Sequence, residues 1–196
     1  MISIRVYVIL SGILFFHILI LPIYANEITI PSNCNDNLTI PNDWNITVIN
    51  STDELESTIE NLNPKTVLIL ENGTYNTNHI KLNTPNIVIM GNSEDRNKVI
   101  LNGNYNKGQN IISVKAENIT IAHMTLKRAY YHPIHVSGNG NHVRIHNIKI
   151  FDGREQFIKI NPDYQNNMND FGSITCSYLE LTNEGRSYIH NNPTPG

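Results

Sequence analysis

Cysteine is nearly missing: two residues, Cys34 and Cys176, in a chain of 196. That excludes a disulfide framework and a four-cysteine zinc site, leaving at most one bridge. Charge is also scarce, at 16% of residues, and neither sign dominates, with 14 Lys+Arg against 17 Asp+Glu. A nucleic-acid binder working through a broad basic surface is therefore excluded. With 40% hydrophobic residues the chain is too apolar for a solvating disordered segment, and its length suits one domain with a real core. What is abundant is asparagine, at 31 residues. Asn favours turns and left-handed corners over helix interiors, so a helical bundle is excluded as well.

Residues 1–25 have the layout of a secretory signal peptide. Arg5 supplies a positive charge, residues 6–21 are almost wholly apolar, Pro22 breaks the run, and Ala25 is a small residue suited to cleavage. Secretion is expected, with no membrane association once the segment is removed. An oxidising destination permits a bridge between Cys34 and Cys176. Asn-x-Ser/Thr sequons begin at Asn37, Asn45, Asn50, Asn72 and Asn118, about the number such a composition generates by itself. Residues 26–45 read as an irregular lead-in with Pro31 and Pro41, and residues 46–196 as the folded domain.

Ser51-Thr52-Asp53-Glu54 is a capping box, and Leu55, Ile59 and Leu62 follow as one apolar stripe before Pro64. From Val67 onward the apolar period becomes two. Short alternating runs are separated by Asn- and Gly-rich turns such as Leu101-Asn102-Gly103. The runs also repeat. Asn86-Ile87-Val88-Ile89 recurs as Asn118-Ile119-Thr120-Ile121, and Ile119, Ile121, Met124 and Leu126 recur as Val143, Ile145, Ile148 and Ile150. A further recurrence is read at Ile174, Cys176, Leu179 and Leu181, 31 positions on. A second series runs Leu82, Val114, Val136 and Ile160. One coil of a solenoid per repeat satisfies both series, with inward apolar residues stacked ~4.8 Å apart. A β-sandwich also alternates but imposes no such residue-by-residue offset, and the leucine-rich-repeat consensus is lacking. The expectation is an all-β fold: a right-handed parallel β-helix with an N-terminal capping helix and about five coils.

The helix followed by Thr66-Val67-Leu68-Ile69-Leu70-Glu71-Asn72-Gly73-Thr74-Tyr75 resembles the entry to pectate-lyase-like right-handed parallel β-helices. Asn86-Ile87-Val88-Ile89-Met90-Gly91 and Asn118-Ile119-Thr120-Ile121-Ala122-His123-Met124-Thr125-Leu126 are similar to successive coils of that superfamily. The resemblance covers about residues 46–190 and implies the fold. Its members include lyases, hydrolases, epimerases and noncatalytic adhesins, so chemistry has to come from the site. They are usually longer than this chain, and residues 190–196 read as a turn directly after a strand with no C-terminal cap. The expectation is therefore an N-terminal portion of a larger protein.

Residues one coil apart share a face, which groups the polar candidates. One turn region collects Arg128, Tyr130, Tyr131 and His132, then Asp152, Arg154, Glu155 and Gln156, then Asn183, Gly185, Arg186 and Ser187. A second outward column runs Lys81, Ser113, His135 and Lys159, with Lys115 and Asn161 nearby. Arg forks bind carboxylates and Tyr stacks on sugar rings, which suits a groove for an acidic polysaccharide. β-Elimination from a uronic acid needs the carboxylate neutralised and a base near C5. The catalytic candidates are Lys159, Arg154, His132 and Arg186, with His135 as an alternative base. Arg128, Tyr130, Tyr131, His135 and Glu155 are candidate substrate contacts. Ca²⁺ is the candidate cofactor, on Asp152, Asp163 and Asp170, although no EF-hand spacing appears. Hydrolysis would instead use a carboxylate pair, and Asp152 with Glu155 is the one available. His79, His123, His142 and His146 have no evident spacing partners and read as structural or exposed. The expected activity is polysaccharide-lyase-like; the competing class is a noncatalytic glycan-binding or adhesin-type surface β-helix. Arg154 and Arg186 are both expected in solvent-facing turns, where substitution leaves folding unchanged.

Overall fold

The computed structural model describes residues 38–162 and 169–193. The leader segment and Cys34 lie outside the described residues, and Cys176 is not a free thiol. Among the described residues no helix is long and apolar enough to cross a membrane.

The chain winds as a parallel β-solenoid of about five turns. Strand β1 (Asn45–Ile49) comes first, then helix α1 (Thr52–Glu60), then β2 (Thr66–Leu70), β3 (Gly73–Asn76) and β4 (Ile80–Leu82). The second coil has β5 (Ile87–Gly91), β6 (Val99–Asn102) and β7 (Ile112–Val114). The third has β8 (Ile119–Ala129) and β9 (Ile134–Val136), and the fourth β10 (Arg144–Gly153) and β11 (Ile158–Ile160). Strands β12 (Ser173–Thr175) and β13 (Tyr178–Glu180) and helix α2 (Asn183–Asn191) complete the described chain. Sheet A stacks β1-β2-β5-β8-β10-β12, with β3, β6 and β13 joined along its far side, and sheet B stacks β4-β7-β9-β11. Every pairing is parallel and in register.

Period-two alternation turns one residue of each pair inward, so like residues stack. Leu68, Ile89, Ile121 and Ile145 form one ladder, and Tyr75, Leu101, Leu126 and Ile150 another. Ile80, Ile112 and Ile134 with Leu82, Val114 and Val136 form the ladders of sheet B, all buried. Ile160 stacks on Val136 as the repeat spacing requires, but it is 53% exposed on the last rung of sheet B, not buried as expected.

The corners are columns too. Lys65, Asn86, Asn118, His142 and Phe171 all have φ near +60° and occupy successive positions above one another. A second left-handed column is His123, Asn147 and Cys176, and it lets β8 and β10 turn from one face to the next without ending. Only part of each column is Asn; the other side chains hold a conformation that costs roughly 1–2 kcal/mol per residue because the stacked coils fix it.

Helix α1 starts as its capping box predicts: Ser51 Oγ accepts from Glu54 N, while Glu54 Oε2 reaches back to Asn50 N. Leu55 is fully buried, and Ile59 and Leu62 pack on the core. Two expectations are corrected. Ile145 pairs with Ile174 and Ile150 with Leu179, so the last offset is 29, not 31. A slip of two keeps every side chain on the same face, so the apolar pattern cannot distinguish the two. And the segment after β13 is helix α2, not a strand running into a turn; Thr182 caps it by accepting from Gly185 N.

Candidate functional site

The two polar clusters that the repeat offsets pick out have different fates. In the turn cluster, β10 and α2 pack against each other, and the polar residues serve that contact. Asp152, 3% exposed, accepts from both the backbone N–H and the hydroxyl of Thr182, the helix cap. Arg128 forks onto Glu184 at 2.7 and 3.0 Å, which holds the Glu184 carboxyl below its usual range. Arg154, expected in a solvent-facing turn, is 9% exposed: its guanidinium lies over the Tyr130 ring and donates to the carbonyls of Asn192 and Pro193. Tyr105 stacks on Tyr188 at 3.6 Å. Arg186 is exposed on α2, and Tyr131 is exposed with its ring against Tyr130.

His132 and Glu155 meet at 3.2 Å, while His132 Nδ1 lies 3.0 Å from the Gln156 carbonyl. Burial pushes the His132 imidazole down, opposed by the Gln156 carbonyl and the Glu155 charge. No three His, Cys, Asp or Glu converge among the described residues, Asp152 spends both oxygens on Thr182, and Asp170 is an exposed residue whose backbone bonds Asn141 and His142. Asp163 lies outside the described residues.

The second column forms an open groove. Lys81, Ser113, His135 and Lys159 pair strand to strand along the outer face of sheet B. A groove of about 630 Å³ runs over this face, lined by His79, Lys81, Asn110, Ser113, Lys115 and His135 among others. Lys81 and Lys115 are exposed, and no Asp or Glu is among the described residues that line it. Lys159 stands on the next rung, level with His135.

The groove floor is a directed hydrogen-bond chain. The His132 backbone N–H donates to Asn110 Oδ1 (3.1 Å), which fixes the amide so that Nδ2 faces Ser113 Oγ (3.1 Å) and His135 Nδ1 (3.5 Å). His135 Nε2 meets Asn161 Oδ1 at 3.1 Å, and Ser113 Oγ lies 2.7 Å from His79 Nε2. Burial, with Lys81 nearby, lowers the His79 imidazole below its ordinary value. The coil offsets alone do not assign His79 or Asn110 to this groove. His79 lies two residues before Lys81, so extending the period-two row Lys81, Asn83 backward is the signal that reaches it.

Neither the protein-family models nor the curated proteins yield a match to this chain, so the similarity to β-helix proteins rests on its own coil pattern and its parallel solenoid.

Proposed function

We propose that this chain is a secreted, carbohydrate-active β-helix protein of the pectate-lyase-like kind that binds an acidic polysaccharide along the outer face of sheet B and cleaves it by β-elimination. The observation that carries the reading is the groove's charge: Lys81 and Lys115 at its edge, two imidazoles inside, and no acid among its described lining residues. An extended anion can follow a groove edged by Lys81 and Lys115, and ~5 Å between rungs is close to the rise of one sugar unit. A lysine beside a uronate carboxylate lowers the cost of carbanion formation at C5, and Lys159, one rung past His135, is the candidate base.

A second reading has its own support. Arg128 and Arg154, expected as carboxylate ligands, are engaged by α2 and the residues that follow it, which favours a noncatalytic glycan-binding β-helix. Incubation with polygalacturonate, alginate and a glycosaminoglycan separates the two. Growth of unsaturated-uronate absorbance, lost in Lys159→Ala, supports the lyase. Binding without product supports the noncatalytic protein, and equal affinity for a neutral glucan overturns the acidic polysaccharide as ligand.

A further inference from the structure

We infer that Ser113 and His79 form a nucleophile–base pair that hydrolyses ester substituents on the glycan held in the sheet-B groove. The inference rests on the groove reading above for its substrate, but on separate residues for its chemistry. Ser113 sits mid-groove on β7, a rigid interior strand of sheet B, as the cross-strand partner of Lys81. Its hydroxyl accepts from Asn110 Nδ2, whose orientation the His132 backbone N–H sets. The hydroxyl proton is therefore left for His79 Nε2, at 2.7 Å. A serine and a histidine in hydrogen-bond reach, with the histidine oriented by a third group, is the arrangement that activates a hydroxyl. Gln109 is the neighbour whose side chain opposes the burial that lowers the His79 imidazole. With Nε2 facing Ser113, the neutral ring that carries its proton on Nδ1 presents the Nε2 lone pair to the hydroxyl.

The step balances with water alone. Ser113 Oγ attacks the ester carbonyl carbon as its proton passes to His79 Nε2. The carbonyl oxygen becomes an oxyanion on the side of Lys81, the cross-strand partner of Ser113. Collapse breaks the bond to the sugar oxygen, which leaves with the proton from His79. Water, deprotonated by the same nitrogen, then hydrolyses the acyl-serine, releasing the carboxylic acid and restoring the Ser113 hydroxyl. The substrate class is an O-acylated acidic polysaccharide, whose ester sits over Ser113 while its carboxylates meet Lys81 and Lys115.

The test uses the full chain, a fluorophosphonate probe, and O-acetylated and de-esterified polygalacturonate. Expected results are labelling of Ser113 located by peptide mapping, acetate release from the acetylated polymer, and loss of both in Ser113→Ala. His79→Gln should slow labelling at least about tenfold. Labelling of the parent should fall on acidification as His79 takes a proton, which a purely structural bond would not produce. Parent-only labelling keeps the test decisive should a variant fail to fold. An unlabelled Ser113 with polymer binding retained overturns the pair as a catalytic device and leaves the groove reading standing. Labelling of Ser113 without binding of either polymer overturns the glycan as substrate and supports the pair as an esterase for other acyl compounds.

Discussion

Asp152 holds the start of helix α2 by both carboxylate oxygens, each 2.7 Å from Thr182: one on the backbone N–H, the other on the hydroxyl. Gly185 lies so close that a Cβ there would collide with Asp152 Oδ1. The pair gives the acid of the turn cluster a structural task, the capping of α2. Asp152→Ala leaves a capping hydroxyl and an N–H without a partner and should cost about 2–3 kcal/mol, read from the denaturant midpoint. Asp152→Asn retains one acceptor and should lose roughly half of that.

Arg154→Ala should also destabilise, by about 1–3 kcal/mol, because it removes donors from the Asn192 and Pro193 carbonyls and uncovers the Tyr130 ring. Lysine should restore only part, since one ammonium cannot span both carbonyls in the fork geometry. Arg186→Ala, on the exposed face of α2, should stay within about 0.5 kcal/mol of the parent. The paired melts separate two arginines that the sequence treats alike. Unchanged stability in Arg154→Ala would mean that α2 does not depend on this contact.

The difference between those arginines shows where sequence reading stops. Inward residues announce themselves by period and repeat, so Leu82, Val114 and Val136 align by residue spacing alone, and the strand pairing keeps that alignment. The outward row Lys81, Ser113, His135 and Lys159 follows from the same offsets, which makes the groove legible. Past Ile150 the loop lengthens, and a two-residue slip preserves the alternation; the slip assigns Arg186 to a turn it does not share. Helix α2 carries no strong signal, because Gly185 stands where a capping box would place Glu or Gln, and Asn183 and Asn191 are weak helix formers. What the turn residues do is decided by α2, so their role cannot be read without it.

Buried Arg96 pins the coils from outside the core. Its loop between β5 and β6 crosses the outer face of sheet A, where Nη1 donates to the Ile148 carbonyl (3.0 Å) and the Cys176 carbonyl (2.8 Å). Thr125 Oγ1 donates back to the Arg96 carbonyl. One cation thus ties the second coil to the fourth and fifth. Arg96→Met keeps the stem but abandons both carbonyls, and should cost about 2–3 kcal/mol. Hydrogen exchange should rise at residues 173–180 before it rises at β5, since among the described residues β12 and β13 pair only with β10.

Lys81→Ala and Lys115→Ala should each weaken polygalacturonate binding about threefold to fivefold at low salt, because both ammonium groups are exposed and screened. Together they should multiply, and the salt dependence of the residual binding should flatten. Lys65→Ala, whose ammonium is paired with Asp43, should leave binding unchanged. Isothermal titration at two ionic strengths reads all three, and a parent-like double variant would remove the groove from the glycan reading.

Stability should fall on mild acidification, and three histidines set the direction. His79, His123 and His132 are each held below the ordinary imidazole value, with burial the largest cause. His123 shows why: Asn147 Nδ2 donates to its Nδ1 at 2.9 Å, a bond that only the neutral ring can accept, and the His146 ring sits against it at 5.5 Å. The unfolded chain takes up these protons near pH ~6.5, whereas the folded chain resists until the pH is lower. Between those values the unfolded state binds more protons, so stability is complete above about pH 6.5 and declines below it. The carboxylates that the fold holds below their usual range, Glu184 among them, lose their contribution only in a more acidic window, so the two effects separate. Thermal melts from about pH 7.5 down to about pH 5 should show Tm dropping in the histidine window, and His123→Gln should make the drop shallower. A Tm that holds steady or rises across that range would mean the neutral imidazoles are not what the folded coils select.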